Sequence, residues 1–141
     1  MIPKAKTGKV FVTMMLLVLA LTLILPTVAS ARPLLGYNGP WRGGGAAAGI
    51  VYGKAVTSDS VPYNMMRVTV RLYERVGWWW YECSSAVNEK FAEGGNYVYF
   101  CDATARVVEG YNEFQVKGLH EWVTTDDVYT HRHTASHQRW C

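Results

Sequence analysis

The sequence predicts an all-β protein, a small antiparallel β-sandwich of six to seven strands preceded by a Gly-rich N-terminal arm. Two patterns carry that expectation. Arg67 to Val76 alternates Val68, Val70 and Leu72 with Arg67, Thr69, Arg71, Tyr73 and Arg75, the period of two of a strand with one buried face. Further short runs of aromatic and β-branched residues are punctuated by Gly, Asn and Asp turn clusters. Ala86 to Ala92 is the one candidate for a turn of helix.

Residues 1–31 read as a secretory signal peptide. Lys4, Lys6 and Lys9 precede an apolar run from Val10 to Leu25, followed by Pro26 and the small-residue cleavage site Ala29-Ser30-Ala31. The run is short of the roughly 20 residues that a bilayer-crossing helix needs. Cleavage after Ala31 leaves 110 residues with 11 basic and 11 acidic side chains, so the chain's net charge of +3 belongs to the leader. A neutral remainder argues against nucleic-acid binding and against a polybasic membrane surface. The mature protein is expected to be secreted and extracellular, with no membrane attachment after cleavage.

Residues 32–48, RPLLGYNGPWRGGGAAA, read as a flexible arm, because five glycines and two prolines leave neither a helical nor a strand period. Leu34, Leu35, Tyr37 and Trp41 are larger than a spacer needs and mark the arm as a docking element for a partner. Deleting it is expected to leave the sandwich folded. Residues 49–141 are the β-sandwich domain. Its strands begin at Ile50 and include Arg67 to Val76, Trp78 to Cys83, Tyr97 to Cys101, one or two between Tyr111 and Val123, and short ones at Val128 to His133 and His137 to Cys141. Gly77, Glu93-Gly94-Gly95-Asn96 and Asp126-Asp127 supply turns, and Gly118 marks a bulge.

The succession Gly53-Lys54-Ala55-Val56, Arg67-Val68-Thr69-Val70-Arg71-Leu72-Tyr73 and Gly95-Asn96-Tyr97-Val98-Tyr99-Phe100 resembles that of prealbumin-like, or transthyretin-like, extracellular domains. The resemblance implies the fold alone, since one fold hosts many functions.

Candidate chemistry gathers near the C-terminus. His131 and His133 share a strand face about 7 Å apart, and with His137 or His120 they are the candidate ligands of a Zn or Cu(II) site. No H-E-x-x-H helix accompanies them, so solvated histidines are the preferred reading and no cofactor is expected. Ser84, Ser85 and Ser136 lack a G-x-S-x-G elbow, and Gly43-Gly44-Gly45 is not placed as a phosphate loop. A noncatalytic protein is expected.

Aromatic residues make up 18 of the 110. Alternation puts Trp78 and Trp80 on one face and Trp79 and Tyr81 on the other. Trp78 and Trp80 are candidates for a ligand surface that stacks on sugar rings. Three cysteines in an oxidising compartment leave one over. A hairpin near Ala92 pairs Cys83 with Cys101 and leaves Cys141 as the odd thiol or as the link to a disulfide-bonded partner. A turn at Glu93-Gly94-Gly95 shifts that register and frees Cys101 to meet Cys141.

The layout of cleaved leader, Leu34 to Gly45 arm and aromatic domain ending in Cys141 is similar to that of the small adaptor subunits of bacterial umbrella-toxin particles. That resemblance implies an interaction subunit in interbacterial competition, joining a lectin subunit to a stalk subunit, with the arm entering a cleft of the lectin. The alternatives are a secreted carbohydrate-binding module and a small secreted hydrolase or metalloprotein.

Overall fold

The computed structural model describes residues 32–44, 48–108 and 112–141; the leader read at 1–31 lies outside them. The described strands, all antiparallel, are β1 (Leu34–Arg42), β2 (Ile50–Val76), β3 (Trp79–Phe91), β4 (Val98–Val108), β5 (Glu113–Thr124), β6 (Tyr129–Ala135) and β7 (Arg139–Trp140).

β2 organises the molecule. At 27 residues it is several times the usual strand length, and it serves two layers. Its first part pairs with β1 and β4, and its second part pairs with β3 and β5. Between them lies a bend at Asp59-Ser60-Val61-Pro62, where the ladder to β4 shifts register between Ser58 and Tyr63; the ladder to β5 shifts just beyond it, between Tyr63 and Met65. The Asp59 carboxylate holds that bend, accepting from the Ser60 N–H at 2.6 Å and, on its other oxygen, from the Tyr63 hydroxyl at 2.6 Å. Burial opposes ionisation of Asp59, but these donors outweigh it and keep the carboxyl below its ordinary range. Burial, reinforced by the bond to Asp59, pushes the Tyr63 hydroxyl well above its usual value.

The bend folds one hydrogen-bonded sheet upon itself. Layer one is β1–β2–β4, and layer two is β3–β2–β5–β6 with β7 beside the start of β5. Alternation then decides the core. Val51, Gly53, Ala55 and Thr57 point inward from the first half of β2, and Met66, Val68, Val70 and Leu72 from the second. Phe114, Val116 and Trp122 of β5 join them, with Val98, Cys101, Ala103 and Ala105 of β4; a large apolar side chain of this kind stabilises the fold by roughly 1.5–3 kcal/mol when fully buried. The layers meet most closely where side chains are smallest. A Cβ added at Gly53 would lie 2.6 Å from Val116 Cγ2, and one at Gly118 would lie 2.8 Å from His120 Nε2 and 3.0 Å from Ala55 Cβ.

Three expectations are corrected. The segment read as a flexible arm is, from Leu34 to Arg42, strand β1, paired with β2 from Leu34↔Ser58 to Arg42↔Val51. Leu35 packs on the core, and Arg42 Nη2 donates to the Cys141 carbonyl at 2.8 Å. Long-range pairing with β2 overrides the poor strand propensity of Gly36, Gly39 and Pro40. Ala86–Phe91 continues β3 against Met65–Val70 rather than turning as helix. Gly118 sits in an unbroken ladder between Val70 and Thr134; close layer packing, not a bulge, accounts for it.

Candidate functional site

The β3–β4 connection creates a concave feature. Gly94 and Gly95 both have positive φ, 56° and 83°, as a two-residue type I′ turn requires. Glu93 and Asn96 close that turn with backbone bonds of 3.0 and 2.8 Å. β3 and β4 then part, because each pairs with a different half of β2. A groove of about 620 Å³ opens where they diverge. Its apolar lining includes the exposed Phe91, Tyr97, Tyr99 and Phe100 and the buried Val98, and its polar lining includes Glu89, Lys90, Glu93 and Asn96. The Lys90 ammonium sits 5.5 Å above the Phe100 ring, and Glu89 is ion-paired with Arg67. Flat aromatic faces beside an amide and carboxylates can stack on a sugar ring and bond its hydroxyls, or can seat a peptide. Sequence reading missed this groove. Tyr97-Val98-Tyr99-Phe100 carried the signal, but only the parting of the two strands makes it concave.

The tryptophan run lies at the opposite end of β3, about 40 Å along a strand of this length. Trp78 is in the Gly77-Trp78 turn and is 88% exposed, whereas Trp80 is half-buried opposite Arg75. The turn breaks the alternation that grouped them, so the exposed set is Trp78, Trp79 and Tyr81.

The four arm residues divide into two kinds. Leu34, 76% exposed, and Tyr37, 42% exposed, face outward. Leu35 lies against the core, and Trp41 stacks on Tyr52 with ring centroids 5.4 Å apart.

Cys83 and Cys101 do not form the expected disulfide. The Cys83 thiol donates to the Leu72 carbonyl at 3.2 Å, and the Cys101 thiol donates to the Asn88 carbonyl at 3.3 Å. The Gly94-Gly95 turn sets a register that brings Cys101 beside Asn88, five residues along β3 from Cys83. Cys141 is buried, and burial raises both its thiol pKa and that of Cys101. A partner disulfide through Cys141 requires the C-terminal residue to swing outward.

His131 and His133 share the outer face of β6, with ring centroids 6.1 Å apart. His137 lies beyond β6. His120 is on the inner face of β5, fully buried, with Nδ1 2.8 Å from Thr57 Oγ1 and Nε2 2.8 Å from Thr134 Oγ1. The structure therefore separates His120 from the other three. The Ser136 hydroxyl is engaged by backbone, accepting from Val116 N–H and donating to the His137 carbonyl.

No family model, curated protein or solved structure matches this chain. Fold and surface define an antiparallel β-sandwich whose described residues present outward aromatic side chains at the β1 edge, the Trp78 turn and the β3–β4 groove, among other places.

Proposed function

We propose that the chain is a secreted, noncatalytic interaction protein, an adaptor that docks to other extracellular proteins through β1. The observation that supports this reading is the exposure of Leu34 and Tyr37 on a strand paired with β2 and with no other strand among the described residues. An edge strand offers backbone donors and acceptors to a partner strand or peptide, and large side chains beside it supply selectivity. Trp78, Trp79 and Tyr81 provide a second contact surface of the residue types that dominate binding energy. The resemblance of layout to umbrella-toxin adaptors makes a lectin subunit and a stalk subunit the proposed partners, in a complex serving interbacterial competition. Affinity purification of the native protein from culture medium tests this. Stoichiometric large partners, lost in Leu34→Ala/Tyr37→Ala, are expected; a lone monomer contradicts the reading.

The groove favours a second reading, a carbohydrate-binding module in which Tyr97, Tyr99 and Phe91 stack on sugar while Glu93 and Asn96 take hydroxyls. A glycan array separates the two. Binding that survives Leu34→Ala/Tyr37→Ala but disappears in Tyr99→Ala selects the sugar reading, and a blank array rejects it.

A further inference from the structure

We propose that the outer face of layer two holds an oxyanion-binding site, built by Arg71, Lys117 and His133 and shaped for a sulfate or phosphate group. The register puts Arg71 directly opposite Lys117, and places His133 opposite Leu119, two residues further along β5. These three side chains, with Thr69 and Tyr73, line a pocket of about 70 Å³, the scale of a small anion rather than of a sugar ring.

Charge placement on this face singles out that row. Arg67 is flanked by Glu89 and Glu121, and Arg75 Nη1 is 2.8 Å from Glu113 Oε2. Arg71 reaches Glu82 only at 3.7 Å, from the β3 side and away from Lys117. Its row neighbours are Ser85 and, beyond Lys117, Ala135. The Lys117 ammonium lies 4.6 Å over the Tyr73 ring, and among the described residues no carboxylate pairs with it. Like charges directly across a ladder destabilise the sheet, and an anion seated between them reverses the sign of that interaction. The guanidinium offers two parallel donors to oxyanion oxygens. The ammonium adds a point charge, and Thr69 and His133 each present a further donor.

The test is titration of the full mature chain with inorganic sulfate and, separately, inorganic phosphate at constant ionic strength, followed by NMR of the His133 ring and the Lys117 methylenes. A third arm uses a sulfated oligosaccharide. Saturable shifts are expected, weakened about tenfold or more in Arg71→Gln and in Lys117→Gln, both outward-facing, and unchanged in Arg106→Gln, an exposed residue of layer one. Saturation by the oligosaccharide alone, with the same variant pattern, identifies an ester on a larger ligand as the source and supports the site. Shifts that grow linearly, that chloride reproduces, or that Arg106→Gln reduces equally, overturn it.

Discussion

The Thr57 hydroxyl lies 2.8 Å from His120 Nδ1, while His120 is also the ladder partner of Val68 on the other half of the same strand. One imidazole thus ties together two stretches of β2 that belong to different layers. Its second nitrogen reaches Thr134 Oγ1 at 2.8 Å, so both ring nitrogens are satisfied by hydroxyls, which donate or accept as required. A neutral ring suits this pocket, and an imidazolium there has no carboxylate among its hydrogen-bond partners.

Burial, with a smaller contribution from His133, lowers the His120 pKa to about 4. The folded value lies below the unfolded one, near 6.5, so the unfolded chain takes up the proton first. Stability is fully present above about pH 6.5 and falls as pH drops toward 4, by roughly 3 kcal/mol in all. Urea midpoints at pH 7, 5.5 and 4 measure it. The decline should disappear in His120→Gln, and a wild type insensitive to pH across this window contradicts the buried neutral imidazole.

Gly118→Ala should destabilise the domain by about 1–3 kcal/mol, the range for overpacking. The new methyl meets Thr134 Oγ1 at 2.7 Å, His120 Nε2 at 2.8 Å and Ala55 at 3.0 Å. It therefore pushes β5 away from Ala55 of the other layer and disturbs the His120–Thr134 contact. Thermal melts check the first effect. The second appears as partial loss of the pH dependence described above.

Substitutions in β1 should separate into two classes. Trp41→Ala removes the ring stacked on Tyr52 and should cost about 2 kcal/mol of stability. Deletion of Leu34–Arg42 uncovers a sheet edge and should lower the melting temperature sharply. Leu34→Ala and Tyr37→Ala should stay within about 0.5 kcal/mol of the parent yet weaken partner binding by about 2 kcal/mol. Equal effects of all four on stability would show that β1 serves the fold alone.

Timed alkylation should label Cys83 first. Its thiol is partly exposed, whereas Cys101 and Cys141 are buried with raised thiol pKa values, which slows formation of the reactive thiolate. In denaturant without reductant all three should react. A Cys83–Cys101 link in a nonreduced peptide map contradicts the thiol geometry found here.

Much of the architecture can be read from residue order, because alternation is local. Val68, Val70 and Leu72 face inward as the period of two requires, and Gly77 and Gly94-Gly95 turn the chain where their sequence context places turns. The unity of β2 is less visible. Asp59-Ser60-Val61-Pro62 carries turn residues, yet here it bends a strand without ending it, since Asp59 supplies local hydrogen bonds that the bent ladder lacks. β1 is hidden for a different reason: Gly36, Gly39 and Pro40 erase its period, and only its pairing with Ile50–Ser58 defines it. Candidate-site residues were harder still. Leu34 and Tyr37 face outward as a docking element requires, while Trp41 is engaged by Tyr52. The groove arises from two strands parting into different layers, which no single segment encodes.

Because β2 is shared between the layers, the domain closes late in synthesis. The inward row Val51, Gly53, Ala55 and Thr57 is covered by β5, which begins at Glu113, about sixty residues downstream. The second half of β2 gains its other neighbour from that same strand. Until β5 emerges, a nascent chain holds an apolar row uncovered on each half of its longest strand, and such rows pair readily with the wrong chain. Non-local strand pairing of this kind also slows folding. The two layers should therefore close together, once β5 is available to both halves of β2.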